Sequence, residues 1–521
     1  LCGGYTYSHD IDSSAVALLP LLQPALRTGV AADSQTERLS HLAAHVLSLD
    51  HHGRPLQEDG VWGRIFLQLS HQVECVKAAA AAFGAAYESS SLNNNNNNSA
   101  IEKNPCSAWR YYGAALARLQ SDLNNDTAGP ESLALASMIL ACVETLSQHE
   151  QNAYAHFLGA VQILTSSAQR RHQGTPSAGS SSVLSTVQDE LVKLNILIGS
   201  YAISQTPQPM YLQPPGTNPA AVELDDAFHE PELAIRAAML CLHQAYQFIE
   251  SAAQLRYTYP SWKQQQQQQQ QHDPIMCKAQ SDALARCRSA IDGLGALATS
   301  LQAQIQFPPA TSALRDSETL AEIYSLRTQL TATLIYILCI DSPFQTAYDQ
   351  HQDQFRCIVS DAAASARLRR RSRPGGALKR FSTRPGIVST LFFVSMKCRD
   401  PALRGLATAM LREQGREGPA DGQIMAAIGA HLAALETSTS ASSASAPSSS
   451  PDAAPPLAAS DVPEEQRVHG YGVSPPRWND EGRRVVDVQF SRPKLPLVQG
   501  WGHVDYACLD NWVLWTEATE I

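Results

Sequence analysis

The 521-residue sequence is short of charge, of closely spaced cysteines and of long apolar runs, and each shortage excludes a class of protein. Only 17 % of its residues are charged against 44 % hydrophobic, a balance that excludes a disordered or fibrous chain and favours a large helical core. The eleven cysteines, at positions 2, 75, 106, 142, 241, 277, 287, 339, 357, 398 and 508, are odd in number and include no Cys-x-x-Cys pair. They read as reduced core thiols of a cytosolic or nuclear protein, not as a disulfide framework. Positive charge is also scarce, and a net charge of −10 argues against a broad nucleic-acid-binding surface. The most apolar uncharged window, Ser132 to Val143, is closed off by Glu131 and Glu144. It falls short of the roughly 20 residues that cross a bilayer, so no membrane span is expected. Nucleophile elbows, phosphate-binding loops and zinc-protease motifs are missing as well. The first residue is Leu1, so the start reads as truncated or processed, and a missing signal peptide carries little weight.

Amphipathic helices interrupted by low-complexity insertions fill the rest. Asn93 to Asn98 is a polyasparagine run, Gln264 to Gln271 is polyglutamine, and Thr437 to Ser460 is rich in Ser, Ala and Pro. None can bury enough apolar surface to offset its ordering entropy, so each reads as a loop or linker. Gly129-Pro130 opens a helix whose Leu133, Leu135, Ala136, Ile139, Leu140 and Val143 are apolar almost all round, which predicts a central position. After a break at Ser147 to Glu150, Tyr154, Phe157, Leu158, Val161 and Leu164 form one stripe of a second helix folded back on the first. Further helices are expected at Gly63 to Tyr87, Ala108 to Leu119, Ser185 to Ile203, Glu232 to Leu255, Ala279 to Gln304, Glu318 to Cys339 and Pro401 to Arg412. Near the C-terminus, Val486, Val488 and Phe490 mark a strand over Arg484 to Phe490, with Gln466 to Gly472 as its partner. Trp501, Trp512 and Trp515 would be costly to expose, so this end is expected to pack back on the helices.

Residues 391–411, LFFVSMKCRDPALRGLATAML, join two apolar helical stretches through Cys398, Arg399, Asp400 and Pro401. Asp400 can cap the second helix by accepting a backbone N–H bond, and Pro401 suits its first turn, where no N–H partner is needed. Such a junction is a hinge and not a reactive centre, with Cys398 as a packing thiol. Together with Phe381, Gly386-Ile387 and the downstream REGPADGQIMAAIGAHLAALE, it resembles the C-terminal half of the regulatory domain of fungal zinc-cluster transcription factors. Upstream, FLQLSHQVECVKAAAAAFGAAYE, AWRYYGAALARL and LALASMILACVETLSQHEQNAYAHFLGAVQIL resemble that domain's opening helices, in order. LRTQLTATLIYILCIDSPFQTAYDQHQDQFRCIV resembles the helix and loop before the signature.

The resemblance implies an all-α regulatory module in the nucleus. Its implied partners are the transcription machinery or co-regulator proteins, with a small-molecule effector beside them. The family's six-cysteine zinc cluster has no counterpart in the cysteine spacing here. DNA is then reached only through an N-terminal segment outside this chain or through a partner, and zinc is expected only if a cluster lies upstream. The expected architecture is all-α, an array of packed antiparallel helical hairpins with a small β element near the C-terminus. Residues 1–436 form the helical regulatory domain with insertions near 89–104, 173–182, 261–275 and 364–383; residues 437–465 are the linker, and 466–521 the strand and tryptophan-rich segment.

The local site candidates have bland rivals. Arg367, Arg369, Arg370, Arg371, Arg373, Lys379 and Arg380 form a run without acidic residues; set apart, their seven charges leave −17 on the rest of the chain. Beside Pro374-Gly375-Gly376 they are expected to form an exposed loop, either a nuclear import signal or simply a solvated segment. His41 and His45 share a helix face at a spacing a divalent metal could use, but no cysteine or nearby carboxylate completes a set, so they read as surface histidines. Asp225-Asp226 resembles the aspartate-rich motif of all-α prenyl-diphosphate enzymes; His229 replaces the third acid, and an acidic helix cap explains the pair equally well. A helical protein-interaction scaffold is the other alternative, although it requires a fixed repeat that is not evident. No catalytic, cofactor-binding or metal-ligating residue is assigned.

Overall fold

The computed structural model describes residues 32–48, 61–95, 105–172, 181–202, 228–257, 262–305, 313–342, 344–371, 381–443, 462–494 and 512–521. Among the described residues, fourteen α-helices and two small sheets pack together. The N-terminal group is α1 (Ala32–Leu47), α2 (Phe66–Gln72, entered through a π-helical turn at Val61–Ile65), α3 (Glu74–Asn95), α4 (Pro105–Asn125), α5 (Pro130–Leu146), α6 (Glu150–His172) and α7 (Ser181–Ala202). The second group is α8 (Pro231–Tyr257), α9 (Trp262–Ile305), α10 (Ala313–Cys339), α11 (Gln352–Arg371), α12 (Val388–Lys397), α13 (Pro401–Arg412) and α14 (Gly422–Ser443).

Helix α5 begins where Pro130 supplies a first turn that needs no N–H partner. It is buried on nearly every side, as its all-round apolar pattern predicts. Burying Leu133, Leu135, Met138, Ile139, Leu140 and Val143 contributes on the order of 10 kcal/mol, an upper bound because unfolded chains already bury some of that surface. Helix α6 returns along α5, tied by the Ser137 hydroxyl donating to His156 O at 2.7 Å. Alanines bring α3 close to its neighbours: Ala79, Ala80, Ala81 and Ala82 are fully covered, and a Cβ on Gly84 would fall 2.1 Å from Leu39 O of α1. Only glycine permits that approach.

Two cores result. The first gathers α1 to α7 around Trp62, Phe66, Phe83 and Phe157. The second gathers α8 to α14 around Phe355, Phe392, Phe393 and Phe490. Helix α7 serves both, giving Leu194 and Leu197 to the first and Ile196 to the second.

The C-terminal sheet comprises β4 (Gly470–Val473), β5 (Arg477–Trp478), β6 (Arg484–Pro493) and β7 (Trp512–Glu520). All pairings are antiparallel: β4 and β5 pair successive parts of β6, and β7 pairs it from Val485 to Pro493. Val486, Val488 and Phe490 are fully buried on alternate positions. This face lies on the helical body, with Tyr471 edge-on to Phe392 at 5.1 Å and Phe490 stacked on His431 at 5.6 Å. Trp512 is buried and Trp515 partly so; Trp501 lies outside the described residues.

A second sheet, not expected from the sequence, joins β1 (Phe381–Ser382), β2 (Arg416–Glu417) and β3 (Ala420–Asp421), with β1 parallel to β2. Its two-residue strands are too short to show a period.

Several expected loops are helix. The polyglutamine run lies within α9, where Gln has good helix propensity and a long helix follows it, and Asn93 to Asn95 form the last turn of α3. Helix α14 likewise extends through Ser443 into the expected linker. The 364–383 insertion is corrected at both ends: α11 continues through Arg371, and Phe381–Ser382 is a buried strand. Residues 173–180 of the shorter insertion lie outside the described residues.

Candidate functional site

The Cys398 to Pro401 junction is a knot of buried charge. Asp400 is the N-cap of α13, its Oδ1 accepting from the Ala402 and Leu403 N–H groups at 2.9 and 3.0 Å, with Pro401 in the first turn. Cys398 is fully buried and its thiol donates to Gln352 Oε1 at 3.5 Å. Burial pushes that thiol up to about 11, so it stays protonated and unreactive at neutral pH. Arg399 is the member whose role its own neighbours do not reveal. Its wholly buried guanidinium pairs with the equally buried Glu436 of α14 at 2.8 Å, and Arg404 of α13 meets the second Glu436 oxygen at 2.8 Å. Burial works to raise the Glu436 carboxyl, but Arg399 and Arg404 together hold it below the usual range.

That knot fastens the C-terminal segment. Glu436 Oε1 also accepts from the Val468 N–H at 2.9 Å, and Lys397 Nζ donates to His469 O at 3.0 Å. Arg467 forks onto Asp349 at 2.8 and 2.7 Å. Glu464 accepts the Gln345 and Thr346 N–H groups, each at 2.8 Å, and faces His469 Nε2 at 2.9 Å. The segment from Val462 to Tyr471 is therefore built into the body through buried, charge-assisted bonds.

The other residues that carry the resemblance gather nearby. Glu417 of β2 is buried, and its carboxylate accepts from Ile387 and Val388 N–H at 3.1 and 2.9 Å, capping α12. A Cβ on Gly386 would fall 2.0 Å from Glu417 Oε1, so glycine is required beside that cap. Asp421 caps α14 through Gln423 N at 2.9 Å and Ile424 N at 3.3 Å.

The basic run is divided. Arg369 is buried, its Nη2 donating to Ser325 Oγ at 2.7 Å, while Arg370 pairs with Glu413 and Arg367 is exposed. These residues lie on α11 because the stripe Phe355, Ile358, Ala362 and Ser365 continues to Arg369, whose stem buries while its head finds a hydroxyl. Arg371 ends the helix, and Arg373, Lys379 and Arg380 lie outside the described residues.

His41 stands 5.7 Å from the His71 ring, and no group of three or more His, Cys, Asp or Glu among the described residues could hold a metal ion. Asp225 and Asp226 lie outside the described residues. Cys277 and Cys357 are exposed, a correction to the reading of the cysteines as core thiols; Cys75, Cys142, Cys241, Cys287, Cys339 and Cys398 are buried. No helix among the described residues is long and apolar enough to cross a membrane.

Between the N-terminal helices and the C-terminal sheet lies a cleft of about 300 Å³. Its walls include Trp109 and Tyr112 of α4, Gln148 of the α5–α6 turn, Arg416 and Asp421 of the small sheet, and Trp478 and Arg484 of the β5–β6 hairpin. The Tyr112 hydroxyl is engaged in a hydrogen bond with His156 Nε2 at 2.8 Å, and burial pushes that imidazole down to about 4. Arg416 Nη1 donates to Leu146 O at 3.0 Å, while its Nε is buried without a hydrogen-bond partner, 3.9 Å from Asp421 Oδ2. Burial lowers the Arg484 guanidinium; nearby Asp421 counters it and Arg416 adds to it. Arg477 is forked onto Asp487 at 2.8 and 2.7 Å. Sequence reading missed the cleft because its walls come from six separate segments.

A mainly helical array with two small sheets is closed by a buried charge knot and carries a solvent-facing cleft. Residues 48–374 match the family described as fungal specific transcription factor domain, and the chain belongs to that family. Neither the comparison with curated proteins nor that with solved structures returns a match.

Proposed function

We propose that residues 1–521 are the regulatory domain of a zinc-cluster-type transcriptional regulator, acting in the nucleus through co-regulator proteins or the transcription machinery. The observation that carries the reading is the family match over residues 48–374, supported by ordered helical blocks resembling that regulatory domain. DNA is read by another segment or by a partner. The net charge of −10 and the lack of a six-cysteine spacing support that division, since a reading head presents basic residues to phosphate. No catalytic role is assigned, and no repeat of fixed period favours the scaffold alternative.

Fluorescence anisotropy of residues 1–521 on promoter fragments at physiological salt tests the division. Weak, unselective binding is expected, and nanomolar, sequence-selective binding contradicts it. For nuclear entry, Arg369 serves the fold, so import falls to the rest of the basic run. Changing Arg373, Lys379 and Arg380 to alanine is expected to move a fluorescent fusion toward the cytoplasm, and an unchanged nuclear signal contradicts the import role.

A further inference from the structure

The two edges of the C-terminal sheet are unlike. A sheet edge carries a row of unpaired N–H and C=O groups that templates another strand, and native edges are blunted by short strands, proline, lysine, bulges or a covering element. One edge follows that rule: β4 and β5 span four and two residues, and Pro475 and Pro476 stand between them. The other edge is β7, nine residues long, WVLWTEATE. It has neither proline nor lysine, and its pairing with β6 runs from Val485 and Glu520 to Pro493 and Trp512 without a bulge.

Hydrogen bonds fix which groups of β7 point outward. Ile521 N–H donates to Arg484 O at 3.0 Å, and antiparallel bonds alternate along a strand. Thr519, Glu517, Trp515 and Val513 therefore turn their backbone groups to β6. The far side of β6 agrees: Ser474 N–H donates to Asp487 O and His469 N–H to Ser491 O, each at 2.9 Å, so Ala518 and Leu514, which sit opposite Asp487 and Ser491, turn away from β6. Leu514, Thr516, Ala518 and Glu520 thus aim their N–H and C=O groups at the free edge. All four are exposed, and among the described residues β6 is the one strand that pairs with β7.

The charges on β7 do not guard this edge. Glu517 accepts the Trp515 indole N–H at 2.9 Å and lies 2.7 Å from His431 Nε2, while Glu520 pairs with Arg483. Along the edge remain Leu514, Thr516 and Ala518, a hydroxyl between two apolar side chains. That pattern suits its own antiparallel copy. With Thr516 opposite Thr516 across a two-fold axis, the outward groups fall in hydrogen-bonded pairs. Leu514 then faces Ala518, Val513 faces Thr519, Glu517 faces Trp515 and Glu520 faces Trp512. No like charges stand directly opposite, and paired threonines and apolar pairs are favourable cross-strand neighbours.

We infer that the chain self-associates as a two-fold dimer through β7, joining the two C-terminal sheets into one continuous antiparallel sheet. A nine-residue strand is about 30 Å long. Such a contact is at the small end of interface sizes, so the dimer exchanges with monomer. The inference does not rest on the function proposed above, and it is measured on the purified chain with neither DNA nor reporter.

The test is sedimentation velocity of residues 1–521 between about 1 and 200 µM, the range suited to a small interface. A concentration-dependent shift from monomer to dimer is expected. Thr516→Pro removes an N–H that serves the free edge and not β6, and the two-fold removes both central bonds at once, so association should weaken on the order of tenfold to a hundredfold. Ala518→Lys places a guarding charge on the same edge; it should weaken association similarly, which keeps the test decisive if the proline variant melts below the parent. Trp478→Ala, at an exposed tryptophan on the opposite edge, should leave association unchanged. A monomer throughout the range overturns the proposal and leaves the edge to a strand of another protein. A dimer that persists undiminished in folded Ala518→Lys, or that Trp478→Ala weakens as much, also overturns it.

Discussion

At the scale of single residues, the junction of α12 and α13 separates what neighbours in sequence reveal from what they cannot. Asp400 followed by Pro401 is readable because a cap and a first-turn proline act within three residues of each other. Arg399 is not readable, since its partner Glu436 lies 37 positions away and nothing in the pattern of α14 distinguishes a buried carboxylate from an exposed one. The two interactions should differ in energy. Asp400→Ala removes a partly exposed cap and should cost about 0.5–2 kcal/mol, whereas Glu436→Gln leaves two buried guanidiniums without their counter-charge and should cost about 3–5 kcal/mol. Chemical denaturation of the two variants checks the order; equal losses would mean that the buried pair does not hold the fold. Arg369 shows the same limit, because an arginine run looks solvated until Ser325, 44 residues earlier, meets it.

Among elements, long periodic helices were legible and context-dependent segments were not. The stripes of α5, α6 and α10 and the alternation in β6 are strong signals, since each buries one consistent set of side chains. The three two-residue strands of the small sheet carry no period, and polyglutamine takes its helical form from the amphipathic part of α9 that follows it. The segment Val462 to Tyr471 is held by polar bonds as well as by burial, which makes its attachment sensitive to acid. Burial works to raise the Glu464 carboxyl, but the hydrogen bonds from His469, Gln345 and Thr346 bring it down to about 2 from an ordinary 4.5. A carboxyl depressed in this way stabilises the fold fully above its ordinary value, and that contribution is lost as pH falls from 4.5 through about 2. Thermal melts across that window should fall less steeply for Glu464→Gln than for the parent. Parallel curves would show that Glu464 does not fasten the segment.

For the whole molecule, two cores share α7, and the C-terminal sheet lies on the second of them. The fold class was legible because helical stripes recur along most of the chain, while the cleft was not, because its walls meet only after residues from Trp109 to Arg484 have been brought together. The same union places Phe381, Arg416 and Asp421, which carry the family resemblance, on the cleft wall. The function proposed for this body is regulation of transcription without reading DNA itself. A reporter driven by an unrelated DNA-binding domain fused to residues 1–521 tests it most directly in a fungal host. The fusion is expected to change reporter output relative to the DNA-binding domain alone, and Glu436→Gln, by loosening the hold of Glu436 on Val468, to alter that change. Output indistinguishable from the DNA-binding domain alone, with the fusion folded and nuclear, would contradict it.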